Sequence, residues 1–382
     1  MGSVLSTAWA NLPSFMDFHP PTPAAYTTAL AVFQYFPVVT DDNTKFTLIE
    51  WVLSWYPAGK TSLKSSPFNI PGRLAWFAME IVGPVNLLYN LSHTTPSLAE
   101  LPMINKLMVA LYCTHYANRA IISPFFSAPS MSPIHAFVMC SAMLFNWFNS
   151  SCLSGWLAGY EIPIQGYRTN GAQVMSSSTP FVPPTRLVVF IIAGTIIFFY
   201  GMAQNIRAET TLFRLRREEA DRRASKRSDI DSHDLDRDHH LDLQKKDRNG
   251  NKYHKVYVIP PASGLFRYIL YPHFVFEWLE WTGFALVGLA VFPLTLSMKV
   301  GTTTTASAGV APALQPAPWI IPVAWAADKL GLPLPLPAVL FVINAVANMV
   351  PHARWGRKWY VGKFGAKAVA GRGAVVPCCE FL

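Results

Sequence analysis

The chain has 382 residues, of which 51% are hydrophobic, 13% aromatic and only 14% charged. Soluble globular domains carry about 25% charged residues, so this composition excludes an ordinary soluble domain and fits a chain whose surface lies largely in a bilayer. The formal net charge of +9 does not imply a nucleic-acid partner, because the basic residues sit in loops between apolar segments rather than on one face.

A helix that crosses a bilayer needs about 20 mostly apolar residues. In chain order the candidates are residues 24–39, 74–91, 104–126, 133–155, 185–206, 274–298 and 332–350, with an apolar, proline-rich stretch at 311–331 read as re-entrant or interfacial. The expected fold is therefore all-α, a polytopic membrane bundle of about seven transmembrane helices. Residues 1–73 hold the first span and a loop, and residues 74–206 carry the central spans. The stretch 207–256 holds 14 Lys/Arg against 11 Asp/Glu, a mixture too polar to form a core and expected to be a partly disordered insertion. Residues 257–382 supply the last spans and a basic tail. Lys and Arg are absent from 92–103 and 300–317, so the positive-inside tendency puts the charged insertion and the C-terminus in the cytosol.

The five cysteines show no metal spacing and no disulfide framework. No GxGxxG motif follows a strand, and Ala58-Gly59-Lys60-Thr61 lacks the first glycine of a phosphate-binding loop. Gly2 opens a myristoylation-like pattern, Cys379 a loose prenylation-like one, and Asn90-Leu91-Ser92 is a glycosylation sequon.

Ionisable side chains within apolar spans are costly, and four groups of them are functional candidates. Glu80 lies mid-span with Trp76 one turn earlier; a carboxyl that keeps its proton there donates to a carbonyl oxygen, whereas a structural reading pairs it with an arginine. His115, Tyr116 and Arg119 share a helical face. A tyrosine phenol is a suitable donor to a developing enolate, and an interfacial aromatic belt is the plainer explanation. Asn205, Glu209 and Arg216 line one stripe at a span's end, where an arginine suits a phosphate and a solvated helix end is the alternative. His273, Glu277, Glu280 and Trp281 open a later span, and two carboxyls three residues apart there are hard to explain by packing alone.

These groups, in this order, resemble the steroid 5α-reductase family. The matching pieces are Gly59-Lys60, RLAWFAMEI (73–81), HYANR (115–119), Asn146, GMAQNIRAE with LFRLR (201–216), YVIP (257–260), SGLFRYILYPHFVFEWLEWTGFAL (263–286), RKWYVGKF (357–364) and AVVP (374–377). The resemblance implies a helical bundle that encloses NADPH and reduces a conjugated C=C bond of a 3-keto-4-ene steroid or sterol-like enone, in the endoplasmic reticulum. Carried over residue by residue, Glu80 and Tyr116 hold the ketone and Trp76 packs against the substrate; Trp281, beside Glu277 and Glu280, is a further candidate substrate contact. Asn146, Asn205, Glu209, Arg216, His273, Glu277, Arg354 and Tyr360 fall on the cofactor side. The pattern differs at Met79, Ser130, Arg207, Glu209 and Val258. An acyl or polyprenoid enoyl reductase of the same superfamily, and a membrane ligand-binding protein without cofactor, stay open as alternatives.

Overall fold

The computed structural model describes residues 13–39, 66–95, 98–160, 162, 164–167, 185–233, 252–253, 256–291, 313–377 and 379. Helices α1 (Pro23–Phe33), α2 (Gly72–Thr94), α3 (Met103–Tyr116), α4 (Ala136–Leu157), α5 (Thr185–His233), α6 (Pro272–Gly288), α7 (Ile321–Leu330), α8 (Leu336–Phe364) and α9 (Ala366–Val369) follow one another. Among the described residues the extended structure is confined to a two-residue antiparallel ladder, Asn69–Ile70 against Ile134–His135, and isolated bridges. The architecture is thus the all-α membrane bundle expected. Each of the seven expected spans overlaps a helix among the described residues, and α2, α4, α5 and α8 are long and apolar enough to cross a membrane by length and composition. The stretch 311–331 contains the short helix α7, closed by Gly331 in the left-handed region. Gly2 and Gly59–Thr61 lie outside the described residues.

Local chemistry explains the ends. Thr22 caps α1 through the amide of Ala25, and Pro23 occupies the first turn, where no amide is needed. At the other end of α1 the open carbonyls are met from distant chain: Asn344 donates to Phe33 O at 3.0 Å and Trp319 to Gln34 O at 2.8 Å. The C-terminal tail is fixed by Arg372, which is 3% exposed and donates to the carbonyls of Pro260 and Phe266. This ties the tail to the strand of chain that enters α6.

Helices α2 and α4 are joined by side-chain amides and hydroxyls. Asn86 donates to Ser150 at 2.8 Å and to Ser151 at 2.9 Å, and Asn90 donates to Ser154 at 3.2 Å. Such contacts hold helices together where lipid offers no hydrophobic drive to associate. They also remove Asn90 as a glycosylation acceptor, because its side chain is fully buried.

Helix α5 runs on past the apolar residues to His233. Its second half is rich in Ala, Glu, Lys and Arg, all good helix formers, and Arg214–Glu218 and Arg223–Glu219 pair one turn apart. The first half of the charged stretch is therefore helical; residues 234–251 lie outside the described ones. At 1.5 Å per residue α5 is about 70 Å long, more than twice the roughly 30 Å hydrocarbon core, so it projects beyond the bilayer.

The membrane half of α5 lies directly on α6. A Cβ on Gly201 would meet Glu280 N at 2.6 Å, and one on Gly283 would meet Phe198 N at 2.5 Å. Glycine costs a helix roughly 1 kcal/mol relative to alanine; here it lets two backbones touch. Gly201→Leu or Gly283→Val is expected to lower stability by about 1–3 kcal/mol through forced separation, read as a drop in melting temperature. Gly362→Ala, with nothing within 4 Å of its Cβ, is the neutral control.

Candidate active site

The chain after α3 continues as a π-helical segment, Ala117–Ser127. In that winding each amide reaches back five residues, as Ala128 does to Ser123 O. Pro124 has no amide to give, so the carbonyl of Arg119 is released, and it accepts the indole N–H of Trp76 at 3.0 Å. A similar release occurs in α2, where Pro84 removes the donor that would serve the carbonyl of Glu80. Two backbone irregularities thus fall at two of the ionisable residues of the bundle.

Arg119 is the centre of the site. Its Nε donates to Glu80 Oε1 at 3.3 Å. One terminal nitrogen lies 3.4 Å from Glu209 Oε1 and 3.5 Å from Glu277 Oε2. The guanidinium rests over the Trp76 ring, 4.8 Å from its centroid. Carboxyls from α2, α5 and α6 therefore converge on one cation from the π segment. Ser123 adds a donor to Glu209 Oε2 at 3.4 Å.

Asn146 of α4 connects this cluster to the phenol. It donates to Met79 O at 2.7 Å and to Glu80 Oε2 at 3.4 Å, and its Oδ1 accepts from Tyr116 OH at 2.9 Å. Asn205 donates to Glu277 Oε2 at 3.4 Å. A second buried pair, His115 Nδ1 with Glu280 Oε1 at 2.8 Å, lies behind Tyr116. Trp281 is 1% exposed and packs among Tyr112, His115, Phe198, Phe284 and Phe341.

The structure therefore brings together Glu80, Tyr116, Trp76, Asn146, Asn205, Glu209 and Glu277. Trp281 abuts Tyr116 from the apolar core. Arg216 stands apart: it donates to Ser130 O at 2.9 Å and Ser130 Oγ at 2.8 Å, and to Tyr253 O at 3.2 Å. His273 and Tyr360 flank Tyr271, with ring centroids at 5.5 and 6.2 Å, and Arg354 is half-buried on α8. The stripe read from the sequence is thus shared between two places, Asn205 and Glu209 in the arginine cluster and Arg216 farther along α5. Sequence reasoning recognised Arg119 only as sharing a face with His115 and Tyr116; the signal it offered was a lone arginine within an apolar span, with a proline five residues on.

Among the described residues, Asn205 Oδ1 in the cluster, Glu280 Oε2 behind Tyr116 and Arg216 Nε farther along α5 are buried polar atoms without a partner. Such atoms cost about 1–3 kcal/mol each when unpaired, so each calls for an explanation, of which a bound ligand or water is one.

Removing Arg119 would leave three carboxyls facing one another. Arg119→Met is expected to destabilise the protein by about 3–5 kcal/mol, the usual cost of breaking a buried ion pair. Arg119→Lys should recover only part of this, since an ammonium cannot span three carboxyls or stack as a plane. Thermal unfolding of the solubilised protein checks both.

A family model described as 3-oxo-5-alpha-steroid 4-dehydrogenase matches residues 233–308, the stretch that contains α6. The chain is 26% identical over 336 residues to an uncharacterized protein of Schizosaccharomyces pombe, covering 84% of this chain and 90% of that one. It is 22% identical over 237 residues to 3-oxo-5-alpha-steroid 4-dehydrogenase 1 of Bos taurus, covering 62% of this chain and 71% of that one. With its Homo sapiens counterpart the identity is 23% over 234 residues, 61% and 69% of the two chains. The chain is thus distantly similar to the 3-oxo-5-alpha-steroid 4-dehydrogenases, the family that its sequence motifs resemble.

Proposed function

We propose that the protein reduces the conjugated C=C bond of a lipophilic 3-keto-4-ene, steroid or sterol-like, with NADPH as the reductant, at the endoplasmic reticulum and with its C-terminus in the cytosol. The observation that carries this reading is the convergence of Glu80, Asn146 and Tyr116 from three separate helices, next to a cluster of buried polar groups with atoms to spare.

The residues present fit the cofactor. Asn205 has a free buried acceptor, suited to a carboxamide N–H, and Arg216 a free buried donor, suited to a phosphate. They are 11 residues apart on one helix, about 16 Å along its axis, in keeping with an extended dinucleotide. Glu209 comes between them on the helix and Glu277 accepts from Asn205, and the family resemblance assigns His273, Arg354 and Tyr360 to the same cofactor. NADPH would supply the hydride.

The chain's own residues supply the rest. The substrate ketone takes the place of Asn146 as acceptor of the Tyr116 proton, and Glu80 gives a second donor when protonated. Charge appears on the ketone oxygen only as the β-carbon is reduced, so two donors aimed there favour the transition state over the ground state. Trp76, stacked on Arg119, fixes the wall beside Glu80, and Trp281 backs the phenol and excludes water. Tyr116 lends its proton to the enolate oxygen; a proton from solvent water then adds to the α-carbon while the O–H proton goes back to the Tyr116 oxygen, so that one hydride and one proton are added across the C=C bond.

The test is NADPH oxidation by the solubilised protein with a 3-keto-4-ene steroid, alongside a 2-enoyl thioester. Steroid turnover is expected. Turnover of the thioester alone would transfer the protein to the enoyl-reductase branch. Glu80→Gln and Tyr116→Phe should each lower kcat by about 10²–10³ with the NADPH Kd little changed; collapse of that Kd would contradict the roles given.

A further inference from the structure

One concentration of positive charge lies largely outside the reaction just described. Residues 256–276 and 330–379 together hold seven Lys or Arg and no Asp or Glu. The two stretches form one body at one end of the bundle. Leu270, Tyr271, Ala353, Tyr360 and Val375 share an apolar cluster there, and Gly373 N donates to Tyr268 O at 3.2 Å. Part of the charge is satisfied internally. Arg372 is buried on the carbonyls of Pro260 and Phe266, and Arg357 donates to Arg372 O at 2.8 Å.

The lysines face outward. Lys358 and Lys363 on α8 and Lys367 on α9 are exposed, and their own part of the chain offers no carboxylate. The acids on the outer half of α5 pair with cations of their own, Glu219 with Arg222 and Arg223, and Asp221 with Lys252. Aromatic rings stand among the lysines. Trp355 is 49% exposed, with Lys358 Nζ 5.2 Å from its ring centroid, and Lys363 Nζ lies 5.9 Å from that of Tyr257. Trp355, Lys358 and Lys363 fall on one half of α8. Its depth is what gives this face a partner. From Leu336, where α8 begins, to Trp355 is about 28 Å along the axis, close to the roughly 30 Å hydrocarbon core. The indole therefore comes level with the boundary between acyl chains and headgroups, which serves its apolar body and its N–H together. Lys358 and Lys363 follow within about 12 Å, the depth of the headgroups and the water just above them.

We propose that the basic end of α8, with α9, is a binding surface for anionic phospholipid headgroups: Trp355 sits at the boundary of the acyl chains, and Lys358, Lys363 and Lys367 meet the phosphates and acidic groups. Neutral phospholipid satisfies the indole but brings no net charge, so the preference for anionic lipid comes from the lysines. Ammonium groups on flexible stems suit a fluid layer that offers its charges in no fixed geometry. None of these residues is among those assigned to the enone or to NADPH, and the inference does not depend on that assignment.

The test uses the full chain in neutral detergent, titrated with phosphatidylserine or phosphatidylcholine, with bound lipid counted by native mass spectrometry. Phosphatidylserine is expected to bind the more tightly, with the preference shrinking as salt is raised. Each of Lys358→Gln, Lys363→Gln and Lys367→Gln should weaken it about fivefold, and the triple variant about a hundredfold, with phosphatidylcholine unaffected. Trp355→Ala should weaken both lipids alike. Thermal unfolding in neutral lipid checks that the variants fold; if the triple variant does not, the three single variants carry the test. Equal binding of the two lipids, or a preference that survives the lysine substitutions, overturns the proposal. So does displacement of phosphatidylserine by inorganic phosphate or NADPH at matched concentration, which would give the lysines to a soluble phosphate. Binding of a polyglutamate peptide without any preference for anionic lipid would give them to an acidic protein and overturn it equally.

Discussion

One guanidinium holds the centre of this bundle. Arg119 faces Glu80 of α2, Glu209 of α5 and Glu277 of α6, and the geometry of each helix at that level is set by the need to reach it. Charges in a low-dielectric interior are tolerated only when paired, so the three helices cannot slide or rotate independently without exposing a carboxyl. The glycine contacts between α5 and α6 act in the same direction. They bring the helix that carries Glu209 close enough for its carboxyl to share a cation with Glu277. The candidate chemistry and the packing of the membrane core therefore rest on the same atoms.

The backbone yields where the site requires it. Pro84 and Pro124 each remove an amide, and the π winding after α3 widens the turn that carries Arg119. In a plain α-helix such losses are defects worth about 3 kcal/mol. Here one released carbonyl is taken by the Trp76 indole, which also supports the Arg119 plane from below. The irregularity is thereby converted into a cross-link between α2 and the π segment. Regular winding would serve the carbonyl internally and leave Trp76 with no reason to hold the arginine in register with Glu80.

Much of this could be read from the sequence, and what could not has a physical reason. The spans follow from hydropathy, which reports the solvent around a helix and needs no tertiary information. Glu80, Tyr116 and Glu277 were visible because a polar side chain among apolar ones is costly. The hub role of Arg119 was not, because its partners lie 39, 90 and 158 positions away in sequence and no periodicity links them. Periodicity did set Asn205, Glu209 and Arg216 on one face, yet a shared face does not imply a shared site: seven residues of helix separate Glu209 from Arg216, and their partners differ. Trp281 read as a substrate contact from its place beside two carboxyls, and its neighbours are chiefly aromatic core. The continuation of α5 to His233 was legible in principle, since its alanine, glutamate and arginine content favours helix. High charge was weighed as a sign of disorder, and the helix propensity of the same residues was the stronger influence.

The length of α5 has a mechanical consequence for the site. Asn205, Glu209, Arg216 and Asp221 lie on one uninterrupted helix, and Asp221 is joined to Lys252 at 2.8 Å while Arg216 reaches Tyr253 O. The chain that returns after the charged segment is thus fastened to the outer part of α5, and it then leads through Val256–Pro260 to α6, which carries Glu277. The outermost contact, Asp221–Lys252, is an exposed ion pair that water and salt screen, whereas the inner ones are buried and shared. Stability along α5 therefore rises from its charged end toward Glu209. A change of charge near Asp221 would act first on the weakly held outer turns, and the arginine cluster would resist its passage inward, because moving Glu209 means separating a buried pair. The same helix can carry a variable, highly charged extension and still present Asn205 and Glu209 in a fixed place.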